Sequence, residues 1–281
     1  MNQTPQWFEA RFSPEVLVRI KVDRLVHAVQ SRYQIIEVYD TTAFGRMLVL
    51  DGIINVTEKD EFIYHEMLAH VPLIAHPHPC SVLVVGGGDG GTVREALKHP
   101  TVYRIELVEI DSAVVEVSRT FLPFVSCALD NPKVHITYED AACFIKETAQ
   151  RFDVILIDST DPIGAGAILF SEGFYHDCRA RLNDNGVLAA QSESPFFDPH
   201  IVKPLYEMAR TVFPIVRMYT ALVPSYVSGL WSFMFCSTSV DPLARISQER
   251  IAALQSLRYY SLDIHRASFA VPPFVRAQCA V

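Results

Sequence analysis

The start of the chain alternates between apolar and polar residues in short runs. These runs cover 16–22, 33–39 and 46–50, are rich in β-branched and aromatic residues, and are divided by turn signals such as Asp51-Gly52. Alternation with a period of two is typical of half-buried strands, and Asp-Gly is typical of tight hairpin turns. The pattern predicts a small antiparallel β-domain, followed by a helix over 61–75, where apolar residues recur at helical spacing.

The pattern changes after residue 80 to apolar-rich runs separated by helix-like segments. Five such runs are present: 81–85, 104–108, 134–137, 152–157 and 186–190. Short strands that alternate with helices form parallel sheets covered on both faces. We therefore predict an α/β fold, with a Rossmann-like, methyltransferase-type doubly wound sheet preceded by the small antiparallel β-domain. The expected division is a β-rich domain at 1–75 and a Rossmann-like domain at 76–281, with the ligand at the carboxyl ends of the strands.

Charge and composition exclude several classes of protein. The 281 residues carry a formal net charge of −8, whereas a nucleic-acid partner requires a concentrated basic face. No apolar stretch approaches the ~18–20 residues that span a membrane, and the first residues lack the features of a signal peptide. The six cysteines include no C-x-x-C pair, so we expect a cytoplasmic protein with reduced thiols. From the charge and the apolar stretches we expect neither a nucleic-acid nor a membrane partner.

His65 and His70 stand in a segment that resembles a zinc-protease helix. That motif needs two histidines four residues apart, on one face of the helix. Here they are five apart, and the extra residue turns the second ring away by about 100°. We therefore predict no metal site.

A glycine-rich loop follows the first buried strand of the predicted sheet. Gly86, Gly88 and Gly91 fit G-x-G-x-x-G between a strand and a helix, where glycine lets the backbone approach a bulky ligand. Glu109 ends the next strand, near the ~20-residue separation expected of a carboxylate that binds ribose hydroxyls. A nucleoside site explains the combination better than a structural turn does.

The charge of Asp89, at the tip of this loop, indicates which kind of nucleoside the site would bind. A carboxylate there would repel a pyrophosphate, which disfavours an NAD-dependent dehydrogenase, but it would attract a cationic sulfonium nucleoside. The alternative is that Asp89 only caps the loop. Asp140 poses a similar choice, since it either caps a helix that starts at Ala141 or contacts an adenine.

Asp158 and Asp161 directly follow a strand apolar enough to be buried. Two carboxylates close together near low dielectric repel each other and raise each other's pKa. That arrangement suits a general base or an ammonium-binding site better than a structural role. Glu193 and Tyr226 are weaker candidates, because each taken singly is more often structural.

Ordered motifs along nearly the whole chain resemble one family, the spermidine synthases or polyamine aminopropyltransferases, in their bacterial form. Besides the glycine loop, they are WF at 7–8, FGRMLVLDG at 44–52, TEKDEFIYHEM at 57–67, VEID at 108–111, DSTDP at 158–162 and YYSLDIH at 259–265. The resemblance implies transfer of the aminopropyl group of decarboxylated S-adenosylmethionine to a diamine. It also implies a homodimer and no metal, with the decarboxylated donor as a co-substrate and no other cofactor.

The resemblance also assigns roles to individual residues. On the donor side, Glu109 corresponds to the ribose contact, Asp140 to the adenine contact, and Gln34, His65 and Asp89 to the aminopropyl end. Ala141 corresponds to another position that holds the donor. Asp158 corresponds to the general base. The residues that correspond to the diamine side are Asn55, Tyr64, Asp161 and Tyr226.

Three departures from the family pattern fall on the acceptor side. The family usually has Gln where this chain has Asn55, and Pro where it has Val227 and Ala165. Because of these departures, putrescine is a default acceptor and does not follow from the sequence. Cadaverine, agmatine and longer polyamines are left open. Two other functions also remain open: a diamine N-methyltransferase that uses S-adenosylmethionine, and a catalytically silent nucleoside-binding protein.

Overall fold

A computed structural model describes residues 6–11, 13, 15–160, 164–279 and 281, without the side chains of residues 11, 164 and 165. Six antiparallel strands come first. They are β1 (Gln6–Arg11), β2 (Leu17–Val22), β3 (Arg24–Gln30), β4 (Ile35–Thr41), β5 (Gly45–Leu50) and β6 (Ile53–Thr57). β1 and β2 form a two-stranded sheet, and β3 to β6 form a four-stranded sheet in chain order, here called the small sheet. The antiparallel β-domain predicted from the sequence is confirmed.

Strand β5 is buried on both faces of the small sheet, and its neighbouring residues point to opposite faces. Met47 and Val49 pack against the apolar residues of β1 and β2. Leu48 and Leu50 pack against two helices that come later in the chain, α3 (Ser112–Phe121) and α4 (Pro123–Ser126). The small sheet is thus fixed between the first hairpin and two helices.

Seven strands form the central sheet, in the order β12-β13-β11-β10-β7-β8-β9. Their bounds are β7 (Ser81–Gly86), β8 (Arg104–Glu109), β9 (Val134–Tyr138), β10 (Phe152–Asp158), β11 (Leu182–Gln191), β12 (Ile215–Leu222) and β13 (Leu230–Ser237). The five predicted strands, β7 to β11, pair in parallel. β12 and β13 extend the sheet as an antiparallel hairpin. The predicted Rossmann-like sheet is therefore confirmed, with this hairpin added.

Helices cover both faces of the central sheet. They are α1 (Glu61–Ala75), α2 (Gly91–Leu97), α3 (Ser112–Phe121), α4 (Pro123–Ser126), α5 (Ala141–Glu147), α6 (Glu172–Arg181), α7 (Pro199–Val212), α8 (Gln248–Ala253), α9 (Leu262–Ser268) and α10 (Pro273–Cys279), with a 3-10 helix at Gly164–Phe170. Val154 and Leu156 of β10 face the layer that contains α1 and α2. Ile155 and Ile157 face the layer that contains α5, α6 and α7. Burial on both faces explains why β10 is almost wholly apolar.

The predicted helix over 61–75 is confirmed as α1, and it packs on the central sheet. The domain boundary after residue 75 stays a prediction; the packing places α1 with the central sheet. Across the described residues, none of the helices has both the length and the apolar character needed to cross a bilayer.

Asp153 ties the amino edge of the central sheet together. One carboxylate oxygen accepts hydrogen bonds from the backbone N–H groups of Cys80 and Ser81, at 2.8 and 2.9 Å. The other oxygen accepts one from the Asn183 amide at 2.8 Å. These bonds join β10 to β7 and β11 at the edge opposite to the predicted ligand site.

Candidate active site

The glycine loop between β7 and α2 lies directly against the carboxyl end of β10. Gly86 and Gly87 have φ angles of +72° and +68°, in the region that favours glycine. A Cβ on Gly86 would collide with the carbonyl oxygen of Asp158, and one on Gly87 would lie 2.7 Å from its Oδ2. The loop reaches Asp158 because these positions have no side chains.

Two hydroxyl groups hold the Asp158 carboxylate at the end of β10. Tyr64 Oη donates to Oδ1 at 2.7 Å, and Thr92 Oγ1 donates to Oδ2 at 2.6 Å. Burial and then the nearby charge of Asp89 raise the pKa of Asp158, against the opposing effects of His65 and the two hydroxyls. A fixed carboxylate with a raised pKa is suited to accept a proton from a bound ligand.

Asp89 lies between the glycine loop and α1. Its Oδ1 accepts a hydrogen bond from Gly91 N at 2.7 Å and is 3.3 Å from His65 Nε2. Burial alone would raise the pKa of Asp89, but His65 and the Gly91 N–H outweigh it and hold the pKa below its usual range. Asp89 therefore caps the loop, as one of the two sequence interpretations held, and is also ionised beside a histidine.

Glu109 at the end of β8 lies on the other side of the glycine loop. Its two oxygens accept hydrogen bonds from the backbone N–H groups of Gly88 and Asp111, at 3.1 and 2.9 Å. Burial, with smaller effects from the charges of Asp111 and Asp89, raises its pKa to about 7. Gln34, in the connection between β3 and β4, reaches this corner and donates to Asp111 Oδ2 at 3.0 Å.

Asp140 caps α5, which begins at Ala141. Its Oδ1 accepts a hydrogen bond from Ala142 N at 2.8 Å, so the capping interpretation is confirmed. Glu139 N donates to the Glu109 carbonyl at 3.2 Å, which places the start of α5 beside the end of β8. Contact of Asp140 and Ala141 with an adenine stays a prediction.

Tyr64 and Tyr226 form an aromatic wall beside Asp158, with ring centroids 6.0 Å apart. Tyr226 Oη donates to the Asn55 carbonyl at 2.8 Å, and the Asn55 amide donates to the Ile53 carbonyl. The predicted diamine-side residues Asn55, Tyr64 and Tyr226 thus lie together. Asp161, the fourth of them, lies outside the described residues.

The loop that carries Tyr226 is fixed to the start of α1 by Asp60. The backbone N–H and the hydroxyl of Ser225 donate to the Asp60 carboxylate at 2.7 and 3.0 Å. Thr57 at the end of β6 donates to the same group. The aromatic wall is therefore positioned jointly by the small sheet and the central sheet.

Among the described residues, His65, Asp89 and Asp158 are the group whose side-chain ligand atoms lie close enough to share a cation, within 4.8 Å of one another. Both ring nitrogens of His65 already face carboxylate oxygens, since Nδ1 is 2.6 Å from Glu61 and Nε2 is 3.3 Å from Asp89. A ring so engaged offers no lone pair to a metal ion. The arrangement is better suited to an organic ammonium group, and the lack of a metal stays a prediction.

A cavity of about 410 Å³ opens elsewhere, at the amino edge of the central sheet. Arg104, Arg151 and Asp153 are among the residues that line it. The oxygens of Asp153 are already occupied by the bonds that join the strands. The acids predicted for the site lie at the other edge, so we assign the candidate site there.

Sequence reasoning missed Thr92 and Asp111. Thr92 directly follows the glycine motif and donates to Asp158. Asp111 begins α3 and receives the Gln34 amide. The position of Thr92 just after the glycine motif was the signal that could have identified it. The contact of Asp111 with Gln34 joins residues 77 positions apart, so no local signal indicates it.

Gly91 provides a test of this packing. A Cβ at Gly91 would fall on three ring atoms of His65, so we expect Gly91→Ala to lower the free energy of unfolding by about 1–3 kcal/mol through overpacking. Gly173 in α6 is the matched control, because a Cβ there meets nothing within 4 Å. Gly173→Ala should be neutral or add up to about 1 kcal/mol. Urea denaturation measures both changes, and equal stabilities of the two variants would contradict the packing.

Comparison with known proteins places this site in a family. A family model described as "Spermine/spermidine synthase domain" matches residues 61–246, and one described as "Spermidine synthase tetramerisation domain" matches residues 6–58. The chain is 44% identical to a polyamine aminopropyltransferase of Bacillus cereus, over 96% of this chain and 97% of the relative. It is 42% identical to the enzyme of the same name from Bacillus subtilis, over the same shares.

Solved structures agree with this placement. A spermidine synthase crystallised in complex with the transition-state analogue AdoDATO superposes with a TM-score of 0.95 at 41% identity, covering 99% of this chain and 97% of that one. Spermidine synthase from Thermotoga maritima superposes with a TM-score of 0.94 at 40% identity, covering 99% and 96%. By sequence and by fold, the chain belongs to the spermine/spermidine synthase family.

Proposed function

We propose that the protein transfers the aminopropyl group of decarboxylated S-adenosylmethionine to a diamine, by default putrescine, and forms spermidine and 5'-methylthioadenosine. The observation that carries the proposal is the position of Asp89, Glu109 and Asp158 around one glycine loop, with Tyr64 bonded to Asp158. Relatives that are 42–44% identical over nearly the full chain are named for this activity.

The donor binds along the glycine loop in this proposal. Glu109 accepts hydrogen bonds from the ribose hydroxyls, and the start of α5, with Asp140 and Ala141, faces the adenine. Gln34, His65 and Asp89 surround the aminopropyl end. The support is that Glu109, the glycine loop and the start of α5 follow the neighbouring strands β8, β7 and β9. Gln34 reaches the same corner through Asp111, and His65 of α1 contacts Asp89.

Asp158 is the general base. It takes a proton from one ammonium group of the diamine, and the freed nitrogen lone pair attacks the methylene carbon next to the sulfonium. The new C–N bond forms as the C–S bond breaks, and sulfur leaves with the bonding electrons as a neutral thioether. Because the leaving group is neutral, no general acid is needed. Positioning of the two reactants supplies the rest of the acceleration.

Charge also explains the choice of donor. Ordinary S-adenosylmethionine carries a carboxylate on the carbon that bears its amine, whereas the decarboxylated form carries only the ammonium. Asp89 is ionised and buried near Asp158. The carboxylate of S-adenosylmethionine would be a third one beside Asp89 and Asp158 and would be repelled, so the site selects the decarboxylated donor by an unfavourable contact with its competitor.

The acceptor lies against Tyr64 and Tyr226, whose rings interact with an ammonium group by cation–π contact. Asn55 and Asp161 complete this side of the site in the proposal, although the position of Asp161 is outside the described residues. A diamine has amine pKa values near ~10 and therefore arrives as a dication, which suits a pocket rich in carboxylates.

We further propose a cytoplasmic homodimer. The match of residues 6–58 to a domain described by its role in tetramerisation supports self-association through this part of the chain. Light scattering on the purified protein measures its mass directly, and a monomeric mass at micromolar concentration would contradict this part of the proposal.

Product analysis tests the activity. The purified protein is incubated with the decarboxylated donor and, separately, with putrescine, cadaverine, agmatine and spermidine, and the products are identified by mass. We expect methylthioadenosine together with an aminopropylated amine. A methylated amine formed from S-adenosylmethionine would support an N-methyltransferase instead, and no product from any amine would support a silent nucleoside-binding protein.

Asp158→Asn tests the assignment of the base. Asparagine keeps the shape, and its single amide oxygen can accept one of the two hydrogen bonds that Tyr64 and Thr92 donate to Asp158, but it cannot take the proton. We expect the turnover number to fall by about 10²–10⁴, while the dissociation constant of methylthioadenosine changes little. Calorimetry and steady-state kinetics measure the two quantities. Near-normal turnover would remove Asp158 as the base.

The raised pKa of Glu109 predicts that nucleoside binding depends on pH. Its pKa is raised to about 7 in the free protein, and two ribose hydroxyls that donate to the carboxylate would stabilise the ionised form. Binding therefore releases a proton near neutral pH, and affinity for methylthioadenosine is lost as the pH falls below about 7, by roughly fivefold between pH 7 and pH 6.

Calorimetry between pH 5.5 and pH 8 measures this dependence. Methylthioadenosine is the chosen ligand because it carries no charge in that range, so its binding reports the protein's own titration. The control is Glu109→Gln, which should bind more weakly at pH 8 but with little dependence on pH. A wild-type affinity that stays constant over the range would refute the ribose contact.

A further inference from the structure

A line of alternating charges runs beneath the glycine loop, from α2 through α1 to Asp89. Arg94 Nη1 and Nη2 donate to the two oxygens of Glu61 at 3.0 and 2.8 Å. Glu61 Oε2 is 2.6 Å from His65 Nδ1, and His65 Nε2 is 3.3 Å from Asp89 Oδ1. Glu61 and His65 are only 7% and 2% exposed. Glu61 lies in the 57–67 motif and Arg94 lies in none of the motifs, and the sequence analysis gave neither residue a role.

The local sequence brings these groups together. Glu61 and His65 are four residues apart and share one face of α1. Arg94 lies on α2, which packs against α1, and the missing side chain of Gly91 leaves room for the His65 ring. Arg94 also donates to Glu95 and to the Phe124 carbonyl. Its guanidinium is therefore fixed at several points and cannot swing away from Glu61 without breaking them.

The geometry bears on the protonation of His65. A neutral imidazole has one N–H group, so it would leave a ring lone pair facing a carboxylate oxygen in a buried place. An imidazolium donates at both nitrogens and satisfies both carboxylates. Burial alone would lower the pKa of His65, but Asp89 and Glu61 outweigh it and raise the pKa to about 10. Arg94 keeps Glu61 ionised, so both carboxylate partners of the His65 ring stay charged.

Charged groups face His65 from each neighbouring element. Glu61 lies on its own helix, Asp89 on the glycine loop and Asp158 at the end of β10, while Arg94 acts from α2 through Glu61. Tyr64 lies edge-on to the ring at 5.3 Å between centroids. The imidazolium is thus the cation closest to both Asp89 and Asp158 among the described residues around it.

We propose that Glu61 and Arg94 are a positioning pair that locks His65 as an imidazolium, and that this cation lets Asp89 and Asp158 stay ionised at the same time. Two carboxylates this close would otherwise share one proton, as coupled acids do. A proton held by Asp158 would block its role as the base, so the inference rests on the proposed function. Glu61 and Arg94 act through His65 and touch neither reactant.

The central experiment compares the wild type with Glu61→Gln. Imidazole resonances of His65, assigned with His65→Gln, report its charge in the ligand-free protein. We expect the wild type to stay protonated up to about pH 9 and His65 of the variant to titrate at about pH 7 or below, because burial disfavours the imidazolium once one carboxylate partner is gone. This measurement does not depend on catalysis.

Kinetics supply the second readout. In Glu61→Gln at neutral pH the proton moves partly from His65 to the carboxylates, so we expect kcat to fall by about tenfold or more at pH 7. As the pH rises that proton is lost, and the ratio of variant to wild-type kcat should recover towards pH 9. A purely structural defect would lower the ratio equally at every pH, and that result, with an unshifted His65 titration, would overturn the proposal.

Two further variants complete the design. Asp153→Asn alters a carboxylate at the opposite edge of the same sheet, so it should reduce stability but leave the ratio of activities independent of pH. The double variant Glu61→Gln/Arg94→Gln leaves neither charge alone in the interior and replaces the single variant if that one does not fold. It should show the same shift of the His65 titration.

The proposed function and this inference fail in different ways. If the wild type forms no methylthioadenosine with any amine, the function is wrong, yet the His65 titration still decides whether Glu61 holds the imidazolium. If the wild type is active and His65 titrates alike with and without Glu61, only the positioning pair is refuted.

Discussion

The close approach of the glycine loop to the end of β10 determines where every charged group of the site lies. Gly86 and Gly87 pack where side chains would collide with Asp158. The loop then carries Asp89 towards α1, and its Gly88 N–H reaches Glu109. If the loop were farther away, these three acids would belong to separate strand ends. Contact between a bare backbone and a carboxylate makes them one site.

Gathering acids in this way is costly in an interior of low dielectric, because burial and like charges both favour the neutral forms. The structure offsets the cost with donors of several kinds. Two hydroxyl groups donate hydrogen bonds to Asp158, two backbone N–H groups donate to Glu109, and a histidine pairs with Asp89. The three carboxylates consequently differ in pKa, with that of Asp89 lowered and those of Glu109 and Asp158 raised. Carboxyl groups that are chemically alike thus acquire different pKa values because their hydrogen-bonding partners differ.

Local patterns in the sequence predicted most of this architecture. The parallel strands β7 to β11, helix α1 and the acids at the strand ends follow from apolar runs and their polar termini. β3 was missed because its residues are mostly exposed or half-buried, so apolar alternation is weak. The pairing of β11 with β13, the Thr92 bond to Asp158 and the Arg94 bond to Glu61 depend on contacts between distant residues. No window of a few residues contains that information.

The Asp60 carboxylate joins Thr57, at the end of the small sheet, to Ser225 in the loop that carries Tyr226. One wall of the site therefore takes its position from the small sheet, whereas the glycine loop, Glu109 and Asp158 all belong to the central sheet. Substitutions in the strands that set this wall can change its shape while the glycine loop, Glu109 and Asp158 keep their places. Under the proposed function, such changes alter the fit of the amine and leave the base and the donor side unchanged. Asn55, whose carbonyl accepts the Tyr226 hydroxyl, and Val227, the residue after Tyr226, both adjoin this wall.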